Sequence, residues 1–251
     1  MDNFIGTILR VLSLRNKSMA YIIVVSGLSG SGKTTLTTSL LGSGILRVPS
    51  ASTLRRERYE FPDVSSTREA ALLKQNYYFE LDKKASQIAV EIHKNGRTAI
   101  CDRDFLSALA HNYALHHTKP ETSVYPWLVE NYTKALENDE LVMPDFHIFL
   151  DIPLEERKNR AIKEVDRERD SCFFDSDFCE NYMNFYKGAL KCMPSLWLST
   201  VPKNFSLNSL NLESLPDHKK QSKKALVHYI KSTLNERNIE FSKVNTPGNC
   251  R

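Results

Sequence analysis

Residues 21–26 (YIIVVS) form a run that is apolar or β-branched almost throughout, and the chain passes from it directly into Gly27-Leu28-Ser29-Gly30-Ser31-Gly32-Lys33-Thr34-Thr35. A strand that is apolar on both faces has to be covered on both sides, which is the situation of a central strand in a parallel sheet flanked by helices. The glycines let the backbone wrap tightly, so that successive amide N–H groups can converge on an anion. A helix starting at Lys33 would turn its positive end towards the same anion. The string fits G-x-x-x-x-G-K-[ST], in which the lysine meets the β- and γ-phosphates of a nucleoside triphosphate and the hydroxyl after it serves Mg²⁺. Residues 27–35 are therefore expected to cradle ATP, with Thr34 facing the metal.

The rest of the chain alternates in the same sense. Further strand-like pieces lie at 98–102, 145–151 and 196–201. Between the first two strand regions Leu73, Tyr77, Leu81, Ala85, Ile88 and Ile92 recur every three or four residues, so 67–94 reads as one long helix closed by Asn95-Gly96. A helix from 154 to about 165 leads into the charged stretch 163–170, and another is expected from about 173 to 191. Ala225, Leu226, Tyr229, Ile230 and Leu234 mark a C-terminal helix. This pattern predicts a three-layer α/β/α fold with a parallel sheet, whose ligands lie at the carboxyl ends of the strands.

Composition narrows the class. Twelve Phe, ten Tyr and two Trp in 251 residues, with 41% apolar residues, exclude the aromatic-poor signature of disorder. The longest apolar run, 19–25, is far short of the ~20 residues of a membrane span. A net charge of +4 is too mild to demand a nucleic-acid partner and suits anionic ligands. Five scattered cysteines without a C-x-x-C pair read as reduced thiols in an intracellular protein. No apolar signal region is evident, so the expected location is the cytoplasm. In 1–19, Phe4, Ile5, Ile8, Leu9 and Leu12 stand at helical spacing with Arg10, Arg15 and Lys17 nearby. This segment is read as an amphipathic helix docked on the domain, with organelle targeting or membrane contact as the other reading; Asp2 counts against a transit peptide.

Neither N-K-x-D nor L-S-G-G-Q occurs, which leaves a small kinase as the better fit among phosphate-loop proteins. Such an enzyme needs an acid near Mg²⁺, an acceptor pocket and arginines that close over the transferring group. Asp102, at the end of a strand and followed by Arg103, meets the first need unless it merely caps the next helix; Asp151 competes for the role. Arg160, Lys163, Arg167 and Arg169 suit a lid, and equally a charged surface helix. His111, His116 and His117 cluster without a converging metal geometry, and Lys219, Lys220, Lys223 and Lys224 make either a solvated face or a phosphate-binding one.

With these pieces in order, residues 20–200 resemble the thymidylate kinase and deoxynucleoside kinase group of P-loop phosphotransferases. The resemblance rests on the phosphate loop, on Tyr78-Phe79-Glu80-Leu81-Asp82-Lys83, on Asp102-Arg103-Asp104-Phe105-Leu106-Ser107-Ala108-Leu109-Ala110, which is similar to D-R-[YH]-x-x-S-x-x-A, and on Leu150-Asp151-Ile152-Pro153 followed by Arg160-Ala161 and Asp166-Arg167. It implies a P-loop NTPase fold with a helical lid at about 160–172 in a kinase domain spanning 20–201. An extension (1–19) would precede that domain, with a connector and C-terminal helix (202–240) and a tail (241–251) after it. It implies ATP and Mg²⁺ as cofactors, Asp102 in the metal shell, Arg103 bridging acceptor and γ-phosphate, Arg160 near the donor adenine and Arg167 as the lid arginine. Phe79 falls where an aromatic stacks on the acceptor base, although core packing explains it as well; Lys83 falls where a base-contacting arginine is usual, and Ser107 and His111 complete the acceptor side.

The departures are Ser29 where an acid is common in bacterial thymidylate kinases, Asp104 in place of an aromatic, and Val48-Pro49-Ser50-Ala51-Ser52 without the Glu-Pro that supplies a base. The expected activity is transfer of the γ-phosphoryl group to a nucleoside monophosphate or nucleoside, with a homodimer compatible. The alternatives are a kinase of another small metabolite, a kinase of nucleic-acid ends, and a non-catalytic ATP-binding module.

Overall fold

A computed structural model of the chain describes residues 20–42, 44–50, 54, 65–163, 171–203, 205–207, 210, 212 and 219–234. Five parallel strands, β1 (Ile22–Gly27), β2 (Ile45–Val48), β3 (Thr98–Asp102), β4 (Phe146–Leu150) and β5 (Ser195–Leu198), form one sheet in the order β2-β3-β1-β4-β5. Among the described residues the helices are α1 (Lys33–Ser39), α2 (Arg68–Lys94), α3 (Phe105–Thr118), α4 (Tyr125–Glu137), α5 (Leu154–Lys163), α6 (Ser176–Ala189) and α7 (Lys219–Ser232). The N-terminal segment 1–19, residues 164–170 of the expected lid and the tail 241–251 lie outside the described residues.

All six residues of β1 are buried, because the two faces of the strand feed different cores. Ile23 and Val25 join Leu36, Leu40, Ile100, Ile148 and Leu150 on the α1 side, while Ile22 and Val24 join Ala99 and Cys101 under Ala89 of α2. This is the period-two alternation of a strand covered twice. A third, aromatic core lies among α3, α4, α6 and α7, where Tyr125, Tyr132, Tyr182, Tyr186, Phe105, Phe178 and Phe185 are all less than 2% exposed.

Local signals set most boundaries. Thr67 caps α2 by accepting a bond from the amide of Ala70 (3.2 Å), and Gly96, at φ 71°, ends it. Asp175 caps α6 through the Phe178 amide (2.8 Å), so this helix starts at Ser176 rather than near 173; Ser171–Phe174 forms a separate 3₁₀ turn. Three elements escape the sequence pattern. β2 is a four-residue edge strand of mostly half-buried side chains. Helix α3 has nine of its fourteen residues buried and so lacks the polar face that makes a helix readable, and α4 opens with Pro126 after a short turn.

Two of the four lysines of the basic face of α7, and Lys231 beyond it, make ion pairs within the molecule. Lys219 pairs with Asp145 (2.8 Å), Lys223 with Asp139 (2.7 Å) and Lys231 with Glu137 (2.8 Å). No described helix is long and apolar enough to cross a membrane. The four described cysteines, Cys101, Cys172, Cys179 and Cys192, are free thiols.

Helix α7 docks on α6 at one tight point. Tyr229 donates its hydroxyl to the Phe185 carbonyl (2.9 Å), and its ring lies against Gly188, where a Cβ would overlap it. Gly188→Ala is therefore expected to destabilise the fold by about 1–2 kcal/mol, because overpacking outweighs the propensity gain of about 1 kcal/mol. Urea unfolding measures this; an unchanged or raised midpoint would show that the α6–α7 contact yields freely.

Candidate active site

The site is built outward from the end of β1. Gly27 sits at φ 147°, and a Cβ there would lie 2.6 Å from the Leu150 carbonyl oxygen and 2.8 Å from Ser31 Oγ, so only glycine lets β1 turn this close to β4. Gly30 and Gly32 are left-handed, at φ 77° and 89°. Gly32 is the N-cap residue of α1 and offers no side chain to its first-turn amides. Lys33 is only 7% exposed and arches over the loop, its Nζ donating to the Leu28 carbonyl (2.8 Å) and to Ser31 Oγ (3.4 Å).

Parallel pairing of β1 with β3 sets Val25 beside Asp102. Thr34 Oγ1 donates to Asp102 Oδ2 (2.9 Å), and the same oxygen takes a bond from Arg47 Nη2 (3.0 Å). Helix α3 is capped by Asp104, through the Leu106 amide (3.2 Å), so Asp102 does not serve as the cap. Asp151 is exposed and does not line the cavity. Between the two aspartates Arg103 takes φ 72°, an uncommon conformation for a bulky residue, while its amide bonds the Val25 carbonyl (2.9 Å). That twist lets Arg103 line the cavity.

The cavity holds about 1150 Å³ and joins the loop, from Ser29 to Thr35, to the inner faces of α2 and α3. Arg160 lines it near the loop, donating to the Gly30 carbonyl (3.3 Å) and pairing with Glu156. Val201 packs against Gly32, with Pro202 and Lys203 beside it. Ser107 lines the opposite wall and bonds Tyr186 OH (2.9 Å). His111 also faces the cavity, between Phe173 and Phe178; burial, with the charges of Lys74 and Arg103, lowers its pKa to about 3 and keeps the ring neutral. His116 and His117 turn elsewhere, to Ser123 Oγ and the Tyr113 carbonyl (2.9 Å each). Among the described residues no group of three histidine, cysteine or acidic side chains could hold a metal.

Two expected acceptor residues are placed differently. Phe79 is 8% exposed and packs edge-to-face on Tyr132 (5.0 Å) and Trp127 (6.1 Å), inside the aromatic core. Lys83 pairs with Glu140 (2.9 Å) and Glu80 (3.3 Å) and lies over the Phe79 ring (5.2 Å). Neither lines the cavity; Lys74, Gln75, Tyr78 and Asp82 do, because helical spacing of four puts 74, 78 and 82 on one stripe and turns 79 and 83 by about 100° towards α4. Arg167 lies outside the described residues.

Pattern reading also missed a buried arginine and an acid pair. Arg157, 2% exposed, donates to the carbonyls of Ile152 (3.2 Å), Ser29 (3.4 Å) and Phe173 (2.9 Å) and to Cys179 Sγ (3.3 Å). It thereby pins the phosphate loop to α5, α6 and the 171–174 turn. The only sequence cue was an arginine in an otherwise charged helix. Asp104 and Asp82 both line the cavity. Burial pushes Asp104 up to about 8, with the charge of Asp82 adding to it. Burial likewise pushes Asp82 up to about 7, against the hydrogen bond from Tyr132 OH (2.7 Å).

A carboxyl group whose folded pKa lies above its unfolded value stabilises the fold most below the unfolded pKa, near 3.8, and that contribution is lost as pH rises to the folded value. Asp104→Asn keeps the capping oxygen and removes the titration. The variant should gain melting temperature relative to the parent as pH rises from 5 to 9; a constant difference in thermal melts would contradict the raised pKa.

Neither a protein-family model nor a curated protein sequence matches this chain. Solved structures do. A deoxyadenosine kinase from M. mycoides with bound dATP superposes with a TM-score of 0.52 at 17% identity, covering 86% of this chain and 99% of that one. A thymidylate kinase from Candida albicans gives a TM-score of 0.49 at 20% identity, covering 86% and 93%. The superposition on the deoxyadenosine kinase shows that this chain shares its fold.

Proposed function

We propose that the chain is an ATP- and Mg²⁺-dependent phosphotransferase that moves the γ-phosphoryl group to a nucleoside monophosphate or nucleoside. The observation that carries this reading is the single cavity running from the phosphate loop, past Arg103, to Tyr78 and Asp82 of α2 and Ser107 and His111 of α3. One chamber gives the donor and acceptor a shared wall, as in-line transfer requires.

In this mechanism the amides of residues 27–35 and Lys33 hold the β- and γ-phosphates, and Lys33 exchanges its bonds to Leu28 and Ser31 for phosphate oxygens. Arg103 and, as the lid arginine, Arg167 meet the equatorial charge, and Arg160, bonded to the Gly30 carbonyl, is assigned the donor adenine side. The oxygens of Thr34 and Asp102, 2.9 Å apart, suit a hard cation that takes few protein ligands and leaves the rest to phosphates and water. Those two residues would hold Mg²⁺, which would supply charge neutralisation to the transferring phosphate groups. The deoxyadenosine kinase that shares the fold binds dATP, which supports a nucleotide in this cavity. The pairing of Lys219 and Lys223 with carboxylates weakens the case for a nucleic-acid-end kinase. Free thiols support a reducing compartment such as the cytoplasm.

ADP release measured against nucleosides, monophosphates and oligonucleotides tests the reading. Lys33→Ala is expected to lower kcat by about 10²- to 10³-fold without changing the melting temperature; full activity in that variant would overturn the mechanism. Asp102→Asn should raise the Mg²⁺ concentration for half-maximal rate by about tenfold, and an unaltered Mg²⁺ titration would remove Asp102 from the metal shell.

A further inference from the structure

Three elements meet at one carboxylate oxygen. Strand β2 runs parallel to β3 with Arg47 beside Ile100, two residues before Asp102. The strand period of two therefore sets Arg47, Ile100 and Asp102 on the same face of the sheet, the face covered by α1, which carries Thr34. Arg47 Nη2 (3.0 Å) and Thr34 Oγ1 (2.9 Å) both donate to Asp102 Oδ2. The two donors differ in position. Thr34 and Asp102 line the cavity, whereas Arg47 does not and reaches the carboxylate from the side of β2. Among the described residues Asp102 is the one hydrogen-bond partner of the Arg47 guanidinium.

The donors also differ in what they can do next. A hydroxyl can turn a lone pair to a cation, whereas a guanidinium only donates and keeps its charge. We propose that Arg47 is a fixed counter-charge of the metal position: it neutralises Asp102 from behind the cavity, so that a free divalent cation finds no net negative charge there and is held only together with the phosphates of a nucleotide. Lys33, Arg103 and Arg160 line the same cavity and act in the same sense before a nucleotide arrives. The negative charge of a triphosphate reverses the sign of the field at that end, and the cation then gains from both the phosphates and Asp102. Arg47 acts through Asp102 and is a positioning residue. An arginine that merely fastened the edge strand β2 to β3 would leave the cation affinity of Asp102 unchanged. The proposal rests on the assignment of Thr34 and Asp102 to the metal in the phosphotransferase reading above.

The test is a titration of the nucleotide-free protein with Mn²⁺, which takes the same oxygen ligands as Mg²⁺ and is counted in solution by electron paramagnetic resonance. It compares the intact chain, Arg47→Gln, Arg47→Lys, and Arg47→Gln combined with Asp102→Asn. Melting curves establish that each is folded. Arg47 leaves 32% of its side chain exposed on an edge strand, so its replacement opens no core cavity, and Arg47→Met repeats the measurement if Arg47→Gln does not fold. Arg47→Gln should bind Mn²⁺ about tenfold more tightly than the intact chain. Arg47→Lys should stay near the intact value, and the double variant should lose the gain. Equal or weaker binding in Arg47→Gln, a gain that persists in the double variant, or the same gain in Arg47→Lys overturns the counter-charge. ADP release by the intact chain with Mg²⁺ separates this result from the kinase reading. Transfer to an acceptor with no Asp102-dependent gain on replacing Arg47 overturns the counter-charge and leaves the kinase reading standing. An Asp102-dependent gain without transfer to any acceptor overturns the kinase reading and leaves the counter-charge, and the absence of both results overturns both.

Discussion

Everything in this site depends on the close approach of β1 to β4 at Gly27. There a Cβ would stand 2.6 Å from the Leu150 carbonyl oxygen, so only glycine lets the chain leave the sheet at this point. The loop that follows is held from two sides. Lys33 folds back on the Leu28 carbonyl, and Arg157 reaches the Ser29 carbonyl from beneath. A guanidinium 2% exposed with three carbonyls and a sulfur around it is stable only because its donors are nearly all used. Its bonds also make the loop, α5 and α6 one mechanical unit.

Sheet register then distributes the chemistry. Because β1 pairs with β3 so that Val25 lies beside Asp102, the carboxylate falls within hydrogen-bond reach of Thr34, eight residues further along the loop from Ser26. The left-handed turn at Arg103 follows at once, and Asp104 closes it by capping α3. Three consecutive residues thus take three jobs: one bonded to Thr34 of the loop, one in the cavity, and one split between a helix cap and the cavity wall. The acids in that wall are costly to bury, and their raised pKa values record that cost.

The sequence and the structure agree where a single residue type permits only one local geometry. The phosphate loop was legible because its glycines, lysine and threonine follow a strand apolar on both faces, and β1, β3, β4 and the long helix α2 fall close to where periodicity put them. Helix α3 was not legible, since a helix buried on most sides loses the alternation on which pattern reading relies. The cavity-facing stripe of α2 was not legible for another reason. A window on α2 containing Tyr78, Phe79, Asp82 and Lys83 does not reveal which stripe faces the ligand, and a step of one residue rotates the choice by about 100°.

What the amino-acid order determined by itself was the alternation of strands and helices and the glycine-turned loop between β1 and α1, because these follow from backbone freedom and from apolar spacing along a few neighbouring residues. Only tertiary packing decided that Phe79 goes to the core and Asp82 to the cavity, and that the α7 lysines meet Asp145 and Asp139. Those outcomes depend on the aromatic face of α4 and on partners tens of residues away. Contacts at such separation are set by which buried surfaces fit together, and no local stretch of sequence encodes that fit.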